Sequence, residues 1–157
     1  MHTVENIKQF IQIQDDLATS GQPTMRDFEN LADAGYQVVI NLGLHEADYA
    51  LSNEPLWVEQ LGMKYIHIPV NFQKPAINDF IHFLNTVNIE QDKKLFIHCA
   101  ENKRVSVFVA LYLVISGQLS QTEGWNLILR AWEPNLDWES YYYDVLNHFY
   151  QVTDEND

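Results

Sequence analysis

The sequence predicts an α/β fold, a central and mainly parallel sheet flanked by helices. Two observations carry that expectation. Short apolar, β-branched runs recur at "QVVINL", "KYIHIPV" and "KLFIHC", as buried parallel strands should. Segments with helical periodicity and turn chemistry at their ends separate those runs. Strands alternating with helices at this spacing build βα units, with helices on both faces of the sheet. The 157 residues, 46% hydrophobic and 20% charged, suit one domain with an ordinary core.

In chain order, Val4 to Phe10 is the first helix candidate. "FIQIQDDLATSGQPT" then holds a short strand ending in turn residues Ser20, Gly21 and Pro23. Thr24 can cap a helix from Met25 to Ala34, with Phe28, Leu31 and Ala34 on one side and Gly35 as its stop. Gln37 to Leu42 forms a strand, and a loop with His45, Glu46 and Asp48 follows. Glu54 to Leu61 is helical up to Gly62, and Lys64 to Val70 is the next strand. Pro75 opens a helix to about Val87. Lys94 to Cys99 is a strand, and Val105 to Ser116, almost wholly apolar, is a buried helix. Helices at about Thr122 to Trp132 and Trp138 to Val152 finish the chain, and residues 153–157 read as a frayed acidic end.

Charge and cysteine usage exclude several functions. The formal net charge is −13, from 22 acidic and 9 basic residues. Such a surface repels nucleic acid and anionic membranes, so neither is an expected partner. No stretch of about 20 apolar residues is available to span a bilayer. "MHTVENIKQF" lacks a basic stretch followed by an apolar one. The expected location is therefore cytoplasmic, or periplasmic if a leader has been trimmed. The single cysteine, Cys99, cannot form an internal disulfide or a Cys-x-x-Cys cluster, and neither metal nor cofactor is expected. Cys99 is either a small buried hydrophobe or a reactive thiol.

Its setting favours the second. In "IHCAENKRVS" a strand ends at Cys99 and a helix begins near Val105. In α/β sheets ligands bind beyond the carboxyl ends of the strands. A tight turn there, followed by a helix N-terminus, offers inward N–H groups and a partial positive charge, which together cradle an oxyanion and stabilise a thiolate. Arg104 adds a planar fork for a tetrahedral oxyanion. One loop thus supplies a nucleophile, a cradle and a clamp. Ala100, Glu101, Asn102, Lys103, Arg104, Val105 and Ser106 are the candidate oxyanion-binding residues. Asn102 suits the tightest part, because Asn tolerates the left-handed conformation. Lys103 is either a solvated side chain or an attracting charge at the rim. Glu101 fits only with its carboxylate turned outward. His98 is either an ordering residue hydrogen-bonded to loop backbone or a catalytic base, with the first favoured, and Ser106 either assists the thiolate or caps the helix.

"HCAENKRVS" resembles the signature loop of cysteine-dependent tyrosine and dual-specificity phosphatases, but with four residues between Cys99 and Arg104 where those families usually have five. The helix "VALYLV", Val109 to Val114, aligns with theirs only if one loop residue is deleted, which puts Arg104 in the place of their arginine. "ATSGQPT", "GYQVVINL" and "LGMKYIHIPV" extend the likeness to a bacterial group of phosphatase-like domains with a short Cys-x4-Arg loop, also found fused to beta-lactamase-like hydrolases. The resemblance covers roughly Leu17 to Gly117.

It implies phosphomonoester hydrolysis through a phosphorylated Cys99, with a phosphorylated small molecule or phosphoprotein as substrate. Dual-specificity phosphatases take their general acid from the loop after the strand that here is "KYIHIPV". That loop reads "NFQKP", and neither Asn71 nor Gln73 is an acid. Asp48 is the first candidate in its place, ahead of Asp79, and the lack of a clear acid implies slow turnover. The short loop also resembles that of rhodanese sulfurtransferases, which implies a Cys99 persulfide as the alternative. A non-catalytic oxyanion-binding module is the third reading. Gln22 in "SGQPT" is either a site contact or part of a plain turn and cap. "WEPNLDW" and "YYY" are either helix packing or a homodimer face.

Overall fold

A computed structural model describes residues 3–154. The chain divides into two compact units, residues 1–105 and 106–157.

The first unit holds a five-stranded sheet in the order β1-β2-β5-β3-β4. Its strands are β1 (Ile11–Gln14), β2 (Leu17–Ser20), β3 (Val38–Asn41), β4 (Lys64–His67) and β5 (Leu95–His98). β5 is central, parallel to β2 on one side and to β3 on the other, and β3 is parallel to β4. The expected single early strand is instead an antiparallel hairpin. Asp15 and Asp16 are the turn, and the alternating "IQIQ" makes a half-exposed edge while "LATS" is buried along its length. The expected first helix shrinks to a 3-10 turn at Val4–Asn6, since Ile7 is extended and Gln9 has φ 52°.

Helices α1 (Met25–Asp33), α2 (Glu54–Gln60) and α3 (Ile77–Glu90) belong to the same unit. Thr24 caps α1 as expected, accepting from the Asp27 N–H while the Asp27 carboxylate accepts from the Thr24 N–H. α3 begins two residues after Pro75, where the Asp79 carboxylate accepts from the Ala76 N–H. One core gathers Ala18, Val39 and Phe96 from the sheet with Phe28 and Leu31 of α1 and Val58 of α2. Each of the fully buried valine, leucine and phenylalanine side chains contributes about 1.5–3 kcal/mol. The alternate residues Leu17, Val38, Ile40, Leu95 and Ile97 are buried too, so β2, β3 and β5 are covered on both faces.

Helix α4 (Lys103–Ile115) starts in the first unit and runs into the second, which also holds α5 (Gln121–Leu129) and α6 (Leu136–Asp154). α4 begins two residues earlier than expected. In the second unit Trp138 and Tyr142 are fully buried, and the Trp138 ring meets those of Phe108, Trp132 and Tyr141, so these aromatic rings pack within this unit, whereas Tyr143 is exposed. Gly124 lies where a Cβ would come within 2.6 Å of the Tyr142 hydroxyl. The backbone is helical through Asp154, and the rest of the expected frayed end lies outside the described residues. Among the described residues, no helix is long and apolar enough to cross a membrane.

Candidate active site

The central strand β5 ends at His98, and Cys99 follows as a buried residue. Because α4 starts at Lys103, only Ala100, Glu101 and Asn102 separate the cysteine from the helix. The turn is therefore tighter than a helix start near Val105 would make it, and Arg104 sits on the helix's first turn, where N–H groups have no helical carbonyl to meet.

Asn102 has φ 64°, the left-handed conformation expected of it. It is also fully buried, which the sequence does not show. Its amide donates to the Gln9 carbonyl at 2.9 Å and to Thr19 Oγ1 at 3.0 Å, so β2 and the segment before β1 tie down the turn. Gly21 presses on the other side. The Gln22 N–H donates to the Ala100 carbonyl at 3.0 Å, and a Cβ on Gly21 would lie 2.6 Å from the same oxygen. Glycine is thus needed at 21 for close backbone approach.

Cys99, Ala100, Glu101, Lys103 and Arg104 line one pocket of about 230 Å³ together with Tyr49 and Phe72. Four of the seven candidate oxyanion-binding residues, Ala100, Glu101, Lys103 and Arg104, are therefore brought together around the thiol. Asn102 braces the loop from behind and is not part of the lining. Val105 and Ser106 are buried on the first turn of α4 and are not part of it either.

Arg104 is 5% exposed. Nη1 donates to the Val70 carbonyl at 2.9 Å and Nη2 to the Tyr49 hydroxyl at 3.2 Å. Its guanidinium carbon lies 5.8 Å from the Tyr49 ring centre and 6.0 Å from that of Phe72. Nε is buried and has no hydrogen-bond partner among the described residues. A buried, unsatisfied N–H of a cation is costly unless an acceptor reaches it. The Glu101 carboxylate is exposed and pairs with Lys103 Nζ at 3.4 Å, and both residues line the pocket. Lys103 Nζ also lies 6.0 Å from the Phe72 ring centre, at the pocket rim.

Behind the loop is a buried polar network. Glu54, the first residue of α2, is 1% exposed. Its carboxylate lies 2.7 Å from His98 Nε2 and accepts from Gln22 Nε2 at 2.7 Å and the Tyr65 hydroxyl at 3.0 Å. Asn41 Nδ2 donates to the Tyr65 hydroxyl at 2.9 Å. His98 is an ordering residue, its Nδ1 3.2 Å from the Cys99 carbonyl. Burial pushes the Glu54 carboxyl up, but the neighbouring His98 and the hydrogen bonds from His98, Gln22 and Tyr65 outweigh it and hold the group below its ordinary value. Burial, and then the Glu54 charge, push the Tyr65 phenol up.

Asp48, the candidate acid, is exposed and is not among the lining residues, whereas its neighbour Tyr49 is. Asp79 is engaged in capping α3. Tyr49, Phe72, Glu54 and Gly21 are the structural participants not expected from the sequence. Gln22 serves neither as a pocket wall nor only as a turn, since it joins the network under the loop. Among the described residues no group of His, Cys, Asp and Glu side chains could hold a metal ion.

The family described as DSP-PTPase phosphatase fused to NAD+ kinase has a profile that matches residues 3–139. The chain belongs to that family. Solved DUF442 structures from Shewanella putrefaciens CN-32 share the fold. One is 29% identical with a TM-score of 0.84, covering 93% of this chain and 96% of that one. Another is 30% identical with a TM-score of 0.81, covering 95% of each. Tk-PTP in its active form, 22% identical over 91% of this chain and 97% of its own, superposes with a TM-score of 0.72, a likeness of fold. The beta-lactamase hydrolase-like protein of Xylella fastidiosa (strain Temecula1 / ATCC 700964) is 28% identical over 116 residues, 72% of this chain. The match spans only 27% of that relative's length, as it does in strain 9a5c. This member of the family thus has a dual-specificity-phosphatase-like fold, a mixed and mostly parallel sheet with helices, and its likeness to beta-lactamase hydrolase-like proteins agrees with the expected resemblance.

Proposed function

We propose that this domain hydrolyses phosphomonoesters through Cys99. The observation that carries the reading is the pairing, in one pocket, of the thiol at the end of β5 with a buried Arg104 whose Nε–H has no acceptor among the described residues. A phosphoryl oxygen would satisfy that N–H. In the mechanism, the Cys99 thiolate attacks phosphorus and the bond to the leaving oxygen breaks. Arg104, with backbone N–H groups of the loop and the first turn of α4, holds the equatorial oxygens as their charge grows. Water then attacks the phosphocysteine and releases inorganic phosphate and the thiolate. The tyrosine and phenylalanine walls favour a flat, aromatic leaving group in a phosphorylated small molecule or phosphoprotein.

The test is aryl phosphate turnover by the parent and by Cys99→Ser, with vanadate as inhibitor. The expected result is vanadate-sensitive turnover in the parent and none in the variant. Turnover that survives in Cys99→Ser overturns the mechanism.

Sulfur transfer through a Cys99 persulfide is the second reading, favoured by the tight turn of three residues between Cys99 and α4. It requires the mass of one sulfur on Cys99 after treatment with thiosulfate. Oxyanion binding that persists in Cys99→Ala, without turnover in the parent, identifies a binding module instead.

A further inference from the structure

A proton must reach the leaving oxygen, and the pocket narrows the choice of donor. The loop after β4 supplies Asn71 and Gln73, which are not acids. Asp48 and Glu46 are exposed and outside the lining, and Asp79 accepts from the backbone at the start of α3. Of the lining residues, Glu101 and Lys103 are ion-paired with each other at 3.4 Å. That leaves Tyr49. Its hydroxyl oxygen accepts from the Leu44 N–H at 2.8 Å and from Arg104 Nη2 at 3.2 Å. Both contacts are donors to oxygen, so the hydroxyl's own proton is not used by either. The same two donors, one of them cationic, would hold the phenolate left after proton transfer. The contact with Arg104 also places the hydroxyl beside the group proposed to bind the phosphoryl oxygens.

We infer that Tyr49 is the general acid of this site, in the role for which the sequence suggests Asp48. The inference rests on the phosphatase reading above. As Cys99 Sγ bonds to phosphorus, the electron pair of the breaking P–O bond passes to the leaving oxygen. The Tyr49 O–H proton moves to that oxygen, and a neutral alcohol or phenol departs. The Tyr49 phenolate then takes a proton from the attacking water. The resulting hydroxide displaces the Cys99 thiolate from phosphorus, which restores the starting state and releases phosphate.

The experiment measures kcat/KM for aryl phosphates whose leaving phenols range from dinitrophenol to phenol. It compares the parent, Tyr49→Phe and Asp48→Asn. A general acid typically contributes about 10²–10⁴-fold, and it matters most for the poorest leaving group. Tyr49→Phe should lose about 10²-fold or more on phenyl phosphate and under about 10-fold on dinitrophenyl phosphate, while Asp48→Asn follows the parent's slope. Site-specific 3-fluorotyrosine at 49 keeps the ring and hydroxyl but is a stronger acid, so it should raise the phenyl phosphate rate relative to the dinitrophenyl rate. An equal loss by Tyr49→Phe on every substrate would make Tyr49 a positioning residue for Arg104 and overturn the inference. A leaving-group-dependent loss in Asp48→Asn alone would do the same. A parent without Cys99-dependent turnover overturns the phosphatase reading together with this inference, whereas a turning-over parent with an unchanged slope in both tyrosine variants overturns this inference alone.

Discussion

Adding one methyl group at residue 21 should damage the site from outside it. In Gly21→Ala the new Cβ would lie 2.6 Å from the Ala100 carbonyl oxygen, 3.2 Å from Glu101 Cα and 3.3 Å from the Ala100 carbonyl carbon. All three atoms are backbone, so no side-chain rotation relieves the contact. Reaching ordinary van der Waals contact at 3.4 Å needs about 0.8 Å of movement, and that would carry the Gln22 N–H to Ala100 O contact, now 3.0 Å, past hydrogen-bond length. Overpacking and one lost backbone hydrogen bond together cost about 2–3 kcal/mol. A misplacement of about 1 Å typically costs about 10²-fold in a catalytic site, so the shift implies a loss on the order of 50-fold in turnover. Urea unfolding measures the first quantity, and aryl phosphate turnover with vanadate inhibition measures the second. Gly35→Ala is the control. It meets nothing within 4 Å but has φ +93°, so it should lose about 1 kcal/mol of stability and leave vanadate inhibition unchanged. A Gly21→Ala protein with parental stability and parental vanadate inhibition would refute the argument that this backbone braces the cysteine loop.

Three further outcomes follow from the same geometry. Arg104→Lys keeps the charge but removes Nε and the planar fork, so vanadate affinity should fall by about 10–100-fold, corresponding to about 1.5–3 kcal/mol; an unchanged inhibition constant would count against Arg104 as the clamp. Asn102→Gly keeps φ 64° accessible and loses two hydrogen bonds, for about 2 kcal/mol, while Asn102→Ala adds about 1 kcal/mol of left-handed strain. Urea midpoints that rank alanine above glycine would contradict this. Glu54 has its folded pKa below the ordinary 4.5, so its ionised form adds stability that is fully present above about pH 4.5 and is lost as the pH falls through the folded value. Glu54→Gln should therefore be less stable than the parent at neutral pH, with the gap closing below pH 4.5, and a gap independent of pH would remove the charge from the explanation.

Local chemistry was enough to read much of this protein from its residues. Three β-branched runs, the Thr24 cap and the helical segments between them specified βα units, because side-chain periodicity and capping act over a few neighbouring residues. The strand-to-helix setting of "HCAENKRVS" marked Cys99, Arg104 and the left-handed Asn102 for the same reason. Edges were less legible. "FIQIQDDLATSGQPT" suggests a single short strand, since nothing local says that "IQIQ" and "LATS" pair with each other while the second also pairs with β5. The sequence pattern announces α4 two residues late, because Lys103 and Arg104 are polar and enter the helix ahead of the apolar run.

The surroundings of the loop were decided only by the tertiary structure. Glu54 is a typical acidic residue at a helix start, and nothing in its neighbours signals burial against His98 on β5. Gly21 is one turn glycine among several until the fold sets it against Ala100. Tyr49 stands next to a carboxylate that draws attention first, yet the path of the loop exposes Asp48 and turns Tyr49 into the pocket wall. The sequence by itself determined the fold class and the cysteine-to-arginine loop, whose signals are carried by adjacent residues. Chain folding over tens of residues decided what stands behind and beside that loop, because those contacts depend on which strands pair and not on which residues follow one another.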